Sequence, residues 1–428
     1  MMPISSLSRV IVTGLVVAFA VAALAPLPAH ATNGYLIHGI GTRAKALAGA
    51  GVAFPLDALT TGTNPAGMAW LGKRYDAGLA LFNPNRQYTI SGNPSQFPGT
   101  FGLVPGTVES GSELFFVPNF GGNWALSDHS TFSLAVFGQG GMNTDYDTST
   151  FFGSAPTGVN LSQLFIVPSY ATKLGGLHSV GIAPVIAYQQ FEAQGLEAFG
   201  LFSSDAANLT NNSADSSTGY GLKVGYMGQW TDSLSFGLSY QTKISMEEFG
   251  SYAGLFAQQG DFDIPANFIA GIAVTLTESS TFLLDVQQIG YSEIDSIGLP
   301  LLPNLVQGPL GSDAGAGFGW EDMTVVKLGL EWGGGPSWTW RAGFSTGDQP
   351  IPESEVLFNI LAPGVVENHF TAGFSKERAG GGAFSFAIMH APSVTVTGPN
   401  PLEVPGLQTI AIEMSQWDLE FGISWGGN

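Results

Sequence analysis

The stretch Trp417 to Trp425, WDLEFGISW, constrains this chain more than any other. Its odd positions are Trp417, Leu419, Phe421, Ile423 and Trp425; its even positions are Asp418, Glu420, Gly422 and Ser424. Period-two alternation marks a strand with one apolar and one polar face. Aromatic residues at both ends of the apolar face suit two lipid–water interfaces. The pattern recurs. Tyr220, Leu222, Val224 and Tyr226 oppose Gly221, Lys223 and Gly225, and Leu234, Phe236, Leu238 and Tyr240 oppose Ser235, Gly237 and Ser239. Val326, Leu328, Leu330 and Trp332 oppose Lys327, Gly329 and Glu331, while Trp338, Trp340, Ala342 and Phe344 oppose Thr339, Arg341 and Gly343. About fourteen such runs lie near 75–91, 113–126, 131–145, 161–174, 178–191, 219–230, 233–250, 266–277, 280–291, 323–332, 337–345, 366–377, 382–396 and 413–425.

The connections between these runs alternate in length. Short turns fall at 127–129, 175–177, 231–232, 278–279, 333–336 and 377–381, and long loops near 92–112, 146–160, 192–218, 251–265, 292–322, 346–365 and 397–412. Short turns on one side and long loops on the other are the expected topology of an outer-membrane barrel. A soluble all-β protein has no reason to sort its loops this way. An even strand count puts both ends of the barrel on the periplasmic side.

Composition points the same way. Residues 1–31 read as a cleaved signal peptide: Arg9 supplies the basic region, Val10 to Leu27 the apolar core, and Ala29-His30-Ala31 a small-x-small cleavage site. No later segment has enough consecutive apolar residues for a membrane helix. Yet only 11% of residues are charged, against about 25% in soluble domains, and mean hydropathy is +0.21. A β-barrel, half of whose strand residues face lipid, reconciles an exported chain, few charges and no membrane helix. Cysteine is absent, so ladders and packing alone must hold the fold. The net charge of −20 argues against nucleic acid. Its acids cluster in the loops, where they solvate the surface or meet anionic outer-leaflet lipid through bridging cations.

Between the signal and the first strand lies Thr32 to Met68, rich in Gly and Ala, with Arg43, Lys45 and Asp57 as its charges. It is compact, irregular and weakly charged, so it needs surroundings. Starting at the periplasmic mouth, it is placed to fold into the lumen as a plug. The expected organisation is therefore all-β: a transmembrane antiparallel barrel of about fourteen strands (75–428) around an N-terminal hatch (32–74).

Gly49-Ala50-Gly51 followed by Asn64-Pro65-Ala66, Val117-Pro118-Asn119 in the second run, Trp320 to Pro352, and NHFTAGF from Asn368 to Phe374 occur in an order and spacing that resembles the FadL family of outer-membrane transporters. The resemblance covers nearly all of the mature chain. It implies uptake of long-chain fatty acids or other hydrophobic compounds, aromatic hydrocarbons included. It also implies an external groove, an inner pocket touched by the N-terminus, and sideways release at a kinked third strand. On this resemblance Asn64, Pro65 and Ala66 hold the hatch to the wall, and Tyr35 and Leu36 enter the inner pocket. Gly138, Gly140 and Gly141 end the third strand and permit a bulge there. Release into lipid avoids transfer of an acyl chain to water at about 0.8 kcal/mol per methylene.

Leu196, Phe199, Leu201 and Phe202 in one loop, and Phe249, Tyr252, Leu255 and Phe256 in another, are exposed apolar clusters suited to the external groove, unless they simply pack on each other. Lumen-facing Lys223, Lys327 and Arg341 are candidates for a carboxylate head group, or for pairing with lumen acids such as Glu331. No catalytic set, cofactor or metal site is expected. Gly39 to Ala44 fits a dinucleotide fingerprint without its preceding strand. GxSxG at Gly343 to Gly347 and Gly422 to Gly426 sits in or at the end of strands without a His/Asp partner set. The histidines show no ligand spacing. A general porin and a lipid-modifying barrel enzyme are the competing classes. Expected partners are a hydrophobic ligand, outer-membrane lipid and lipopolysaccharide, and the barrel-assembly machinery, with the chain as a monomer.

Overall fold

The computed structural model describes residues 33–379 and 381–426; the signal peptide expected over 1–31 lies outside the described residues. The wall is built from fourteen long strands: β1 Arg74–Ser91, β2 Phe115–Ala125, β3 Ser130–Tyr146, β4 Thr157–Leu174, β5 His178–Gln194, β6 Asp215–Thr231, β7 Leu234–Gln241, β8 Asn267–Thr277, β9 Ser280–Ile289, β10 Met323–Gly333, β11 Trp338–Gly347, β12 Asn368–Glu377, β13 Ala383–Pro399 and β14 Thr409–Trp425. Each pairs antiparallel with the next, and β14 pairs back onto β1 from Tyr75↔Trp425 to Ser91↔Thr409. The sheet is a closed barrel with no free edge at this seam. Two short strands, Gly106–Glu109 and Ser245–Met246, add to β1 and β6.

Alternation decides which face is which. On β14, Trp417, Phe421 and Ile423 are exposed, whereas Asp418, Glu420, Gly422 and Ser424 are buried. The exposed apolar face is the one that meets lipid. Near the short turns aromatic rings gather into a belt: Tyr75 lies 5.9 Å from Trp425, and Trp338 lies 5.7 Å from Trp340.

The strands that depart from expectation do so at the long-loop end. The run expected over 233–250 stops at Gln241. There the Thr242 hydroxyl accepts from the Leu222 amide, and Ile244 turns inward to pair with Ile264. β13 and β14 form a hairpin reaching Pro399 and Thr409, which shortens the loop expected over 397–412. In this extension the outward residues are polar, as at Thr395, Thr397 and Thr409, while Val396, Ile410 and Ile412 point inward and are buried.

The wall is incomplete at one place. β2 pairs with β3 only from Asn119↔Phe137 to Ala125↔Thr131, although β3 continues to Tyr146. Past Phe137 the strand changes character. The ladder to β4 shifts between Gly138 and Gly140, which leaves Gln139 as an extra residue, a β-bulge. Gln139 to Thr144 are then buried without alternation, as expected of a strand that bends into the interior.

Candidate functional site

Residues 33–73 lie inside the barrel, tied to inward-facing wall residues. The helix α1, Thr42–Lys45, places Lys45 between Asp418 at 2.6 Å and Glu420 at 2.7 Å on β14. Asp285 on β9 accepts from the Gly51 and Val52 amides at 2.8 and 2.9 Å. Asp76 on β1 accepts from the Ala58 amide at 2.9 Å. These are charged acceptors on the positive ends of an irregular backbone, whose amides would otherwise be orphaned.

Asn64, Pro65 and Ala66 are brought against β5 and β6. Asn64 caps the 3-10 turn Pro65–Trp70, its Oδ1 accepting from the Ala66 amide at 3.0 Å. Its Nδ2 donates to the Val52 carbonyl at 2.7 Å and to the wall carbonyl of Tyr226 at 3.1 Å. The Ser179 hydroxyl donates to the Ala66 carbonyl at 2.9 Å. Directly beneath lie Gly225 and Gly181, where a methyl group would overlap Asn64 Oδ1 and the Pro65 carbonyl carbon. The wall is glycine there because backbone meets backbone.

The three lumen cations considered for a head group are engaged elsewhere. Lys223 donates to the Gly62 carbonyl, and Lys327 to the His38 carbonyl at 3.0 Å. Arg341 pairs with Glu331 at 2.7 Å and donates to Ser375. All three are buried, and none lines either apolar cavity described below.

The N-terminal tip adds a short strand to the freed edge of β3. Leu36 bridges Gly140, the Ile37 amide donates to the Gln139 carbonyl at 2.8 Å, and the Gly141 amide donates to the Tyr35 carbonyl at 3.0 Å. A side chain at Gly140 would strike the Tyr35 carbonyl. So Gly140 and Gly141 carry the contact with Tyr35 and Leu36, and Gly138 marks where the bulge begins. The Tyr35 ring packs on Tyr291, Trp320 and Phe262 with centroids 5.3, 5.9 and 6.2 Å away. Beside it is an inner cavity of about 20 Å³, bordered by Tyr35, Phe82, Arg86, Met142, Trp320 and Met414. Trp320 stands in a motif that the sequence already singles out; Arg86 carries no such signal.

An outer cavity of about 30 Å³ is lined by Leu196, Phe199, Leu255 and Phe256 from the two apolar loops, together with Phe191, Phe318 and Phe358. Phe249 and Tyr252 lie behind it, fully buried. Leu201 and Phe202 point away: Leu201 is 94% exposed. The two cavities approach each other along one loop, since Leu361 borders the outer and Ala362 the inner. Each has room for about one water, so a larger ligand must displace side chains.

A closed barrel with an occupied lumen, aromatic cavities and one break in its wall defines a class: outer-membrane channels for apolar solutes. The chain belongs to the outer membrane protein transport protein family (OMPP1/FadL/TodX), whose profile matches residues 18–375. It is thus an outer-membrane transport protein for hydrophobic compounds and not an enzyme. Among solved structures it is similar to the P. putida toluene transporter TodX, at 16% identity and TM-score 0.67 over 91% of this chain and 99% of that one. A Pseudomonas aeruginosa FadL homologue matches at 16% identity and TM-score 0.68, over 92% and 99%. The Ralstonia pickettii toluene transporter TbuX matches at 17% and 0.62, over 91% and 99%. At these identities the likeness is one of fold. No curated protein sequence matches.

Proposed function

We propose that this protein takes up long-chain fatty acids by facilitated diffusion, through the outer cavity, the inner cavity and the break in the wall between β2 and β3. Residues 33–73 act as the hatch, with Asn64, Pro65 and Ala66 as its anchor on β5 and β6. Tyr35 and Leu36 form the movable wall of the inner pocket. One observation carries the reading: the inner cavity borders Met142, on the length of β3 that β2 does not cover, and this edge is held near Gly140 by the N-terminal tip and farther on, at Asp145, by residues 110–111. A ligand that displaces the tip is then beside lipid, and leaving through the wall never exposes its chain to water. No energy-coupling step is required.

Neutral aromatic hydrocarbons are the second reading, favoured by the aromatic lining of both cavities and by the similarity to toluene transporters. The test is uptake of radiolabelled oleate and toluene by cells lacking their own transporter. Wild type is compared with a deletion of Gln139, which removes the extra residue and lets β3 run straight. The expected result is uptake by wild type, lost in the folded deletion variant. Wild-type uptake that survives the deletion rejects the lateral route; no uptake of either compound by the folded wild type rejects the transporter.

A further inference from the structure

The chain carries 33 Asp and Glu against 13 Lys and Arg. At the short-turn end of the barrel this balance is reversed. A cavity of about 490 Å³ opens at the mouth there, bordered by Arg43, Lys73, Arg74 and Arg378 against one carboxylate, Glu377. Three separate stretches of chain supply the cations. Arg43 comes from α1 inside the barrel, Lys73 and Arg74 from the start of β1, and Arg378 from the turn between β12 and β13. Between them the lining is small residues, Gly382 and Ser424 among them, so the charged ends face open space.

Their own partners leave most of this charge uncompensated. Arg74 is paired with Asp76 at 2.7 Å. Arg43 donates to the Leu56 carbonyl at 3.0 Å, and Asp57 acts on it only from beyond ion-pair distance. Among the described residues Lys73 and Arg378 have neither an ion pair nor a side-chain hydrogen bond. Three cations thus stand against Glu377 in one concavity, where like charges repel and their field is focused. The acidic long loops do not cancel it. They lie across about 30 Å of hydrocarbon, several screening lengths of about 8 Å away.

We propose that this vestibule binds a compact, multiply charged phosphate compound from the periplasm, and that the bound anion ties the luminal segment to the wall. A singly charged group would leave the other cations unpaired. A carboxylate offers two oxygens in one plane, whereas a phosphate offers three around one centre, which suits donors arriving from three directions. The tie follows from where the donors sit: Arg43 is on the luminal segment, and Arg74 and Arg378 are on the wall. The proposal holds whichever apolar solute the channel carries.

The test titrates inorganic pyrophosphate into the purified full-length protein in detergent, by calorimetry at about 0.15 M salt. Wild type is expected to bind it saturably, and to bind dimethyl phosphate, a singly charged diester like a lipid head group, at least about tenfold more weakly. Lys73→Gln with Arg378→Gln, both at exposed positions, should weaken pyrophosphate at least about tenfold. Lys173→Gln, over the Trp70 ring and outside the cavity, should change it less than about twofold. Bound pyrophosphate should also slow amide exchange in residues 42–56 of wild type but not of Arg43→Gln. No binding by the folded wild type overturns the proposal, as does an unchanged affinity in the double variant. Dimethyl phosphate binding as tightly as pyrophosphate overturns the multiply charged ligand in favour of a lipid head group. Exchange in residues 42–56 that ignores bound pyrophosphate overturns the tie.

Discussion

The lumen has two regions built on opposite principles. Towards the short turns, residues 42–66 are fastened by Lys45 to Asp418 and Glu420, by Asp285 and Asp76 to backbone amides, and by Asn64 to the wall. Towards the long loops the contacts are rings: Phe191 on Phe256 at 4.6 Å, Phe256 on Phe262 at 4.7 Å, and Tyr291 on Trp320 at 5.1 Å. Directional, charged contacts in a dry interior hold one geometry, because every alternative leaves a buried charge unpaired. Apolar contacts are non-directional, and an apolar ligand replaces them at little cost. Residues 42–66 are thus fixed in one geometry, whereas the aromatic contacts permit rearrangement.

The largest effect is expected from removing the central cation. Lys45→Met leaves Asp418 and Glu420 buried beside each other without their partner, a loss of about 3–5 kcal/mol. Residues 33–73 should come loose, with steady ion conductance in planar bilayers and new protease sites within them. Adding Asp418→Asn and Glu420→Gln should restore part of the closure by removing the stranded charges. A silent, fully closed Lys45→Met protein would show that the polar region is not what holds the hatch.

The aromatic region should answer differently. Phe256 lies in the outer cavity and touches Phe191 and Phe262. Phe256→Ala should raise the concentration for half-maximal uptake about tenfold, equivalent to about 1.4 kcal/mol. Conductance should stay at the wild-type level, since no tie of residues 42–66 to the wall is touched. An increase in conductance would show that the two regions are mechanically one.

Much of the wall was legible in the sequence, for a physical reason. Lipid on one face and lumen on the other force period two, and Trp417 to Trp425 could hardly be read otherwise. What stayed hidden depends on backbone or on neighbours. The pairing of Leu36 with Gly140 is made by main-chain groups and leaves no side-chain signature. The extra residue Gln139 follows from register, which a single strand does not reveal. Lys223 and Lys327 looked free for a head group, because alternation shows only that they face inward. The luminal segment 33–73 presents the carbonyls of Gly62 and His38 to them, and orphaned carbonyls in a dry interior attract the nearest donor. Arg86 was missed because its contacts, the carbonyls of Asn143 and Ser112 and the Phe115 ring, come from other stretches of the chain.

The smallest expected effect concerns the loop that covers the aromatic region. Asp261 is pushed up to about 7, first by burial and then by the charge of Asp263. Asp263 is itself paired with Lys243 at 2.6 Å. The folded loop thus prefers the neutral acid, whereas the unfolded chain ionises at the ordinary carboxylate value. The sign follows from proton binding: between that ordinary value and about 7, the folded state holds more protons, so raising the pH destabilises the loop. Asp261 is partly open to solvent, so screening reduces the effect to well under about 1 kcal/mol. Amides of residues 249–264 should exchange with deuterium faster at pH 8 than at pH 5, after correction for the intrinsic chemistry. Asp261→Asn should flatten this difference. An undiminished difference in the folded Asp261→Asn protein would show that Asp261 is not the group that loosens the loop.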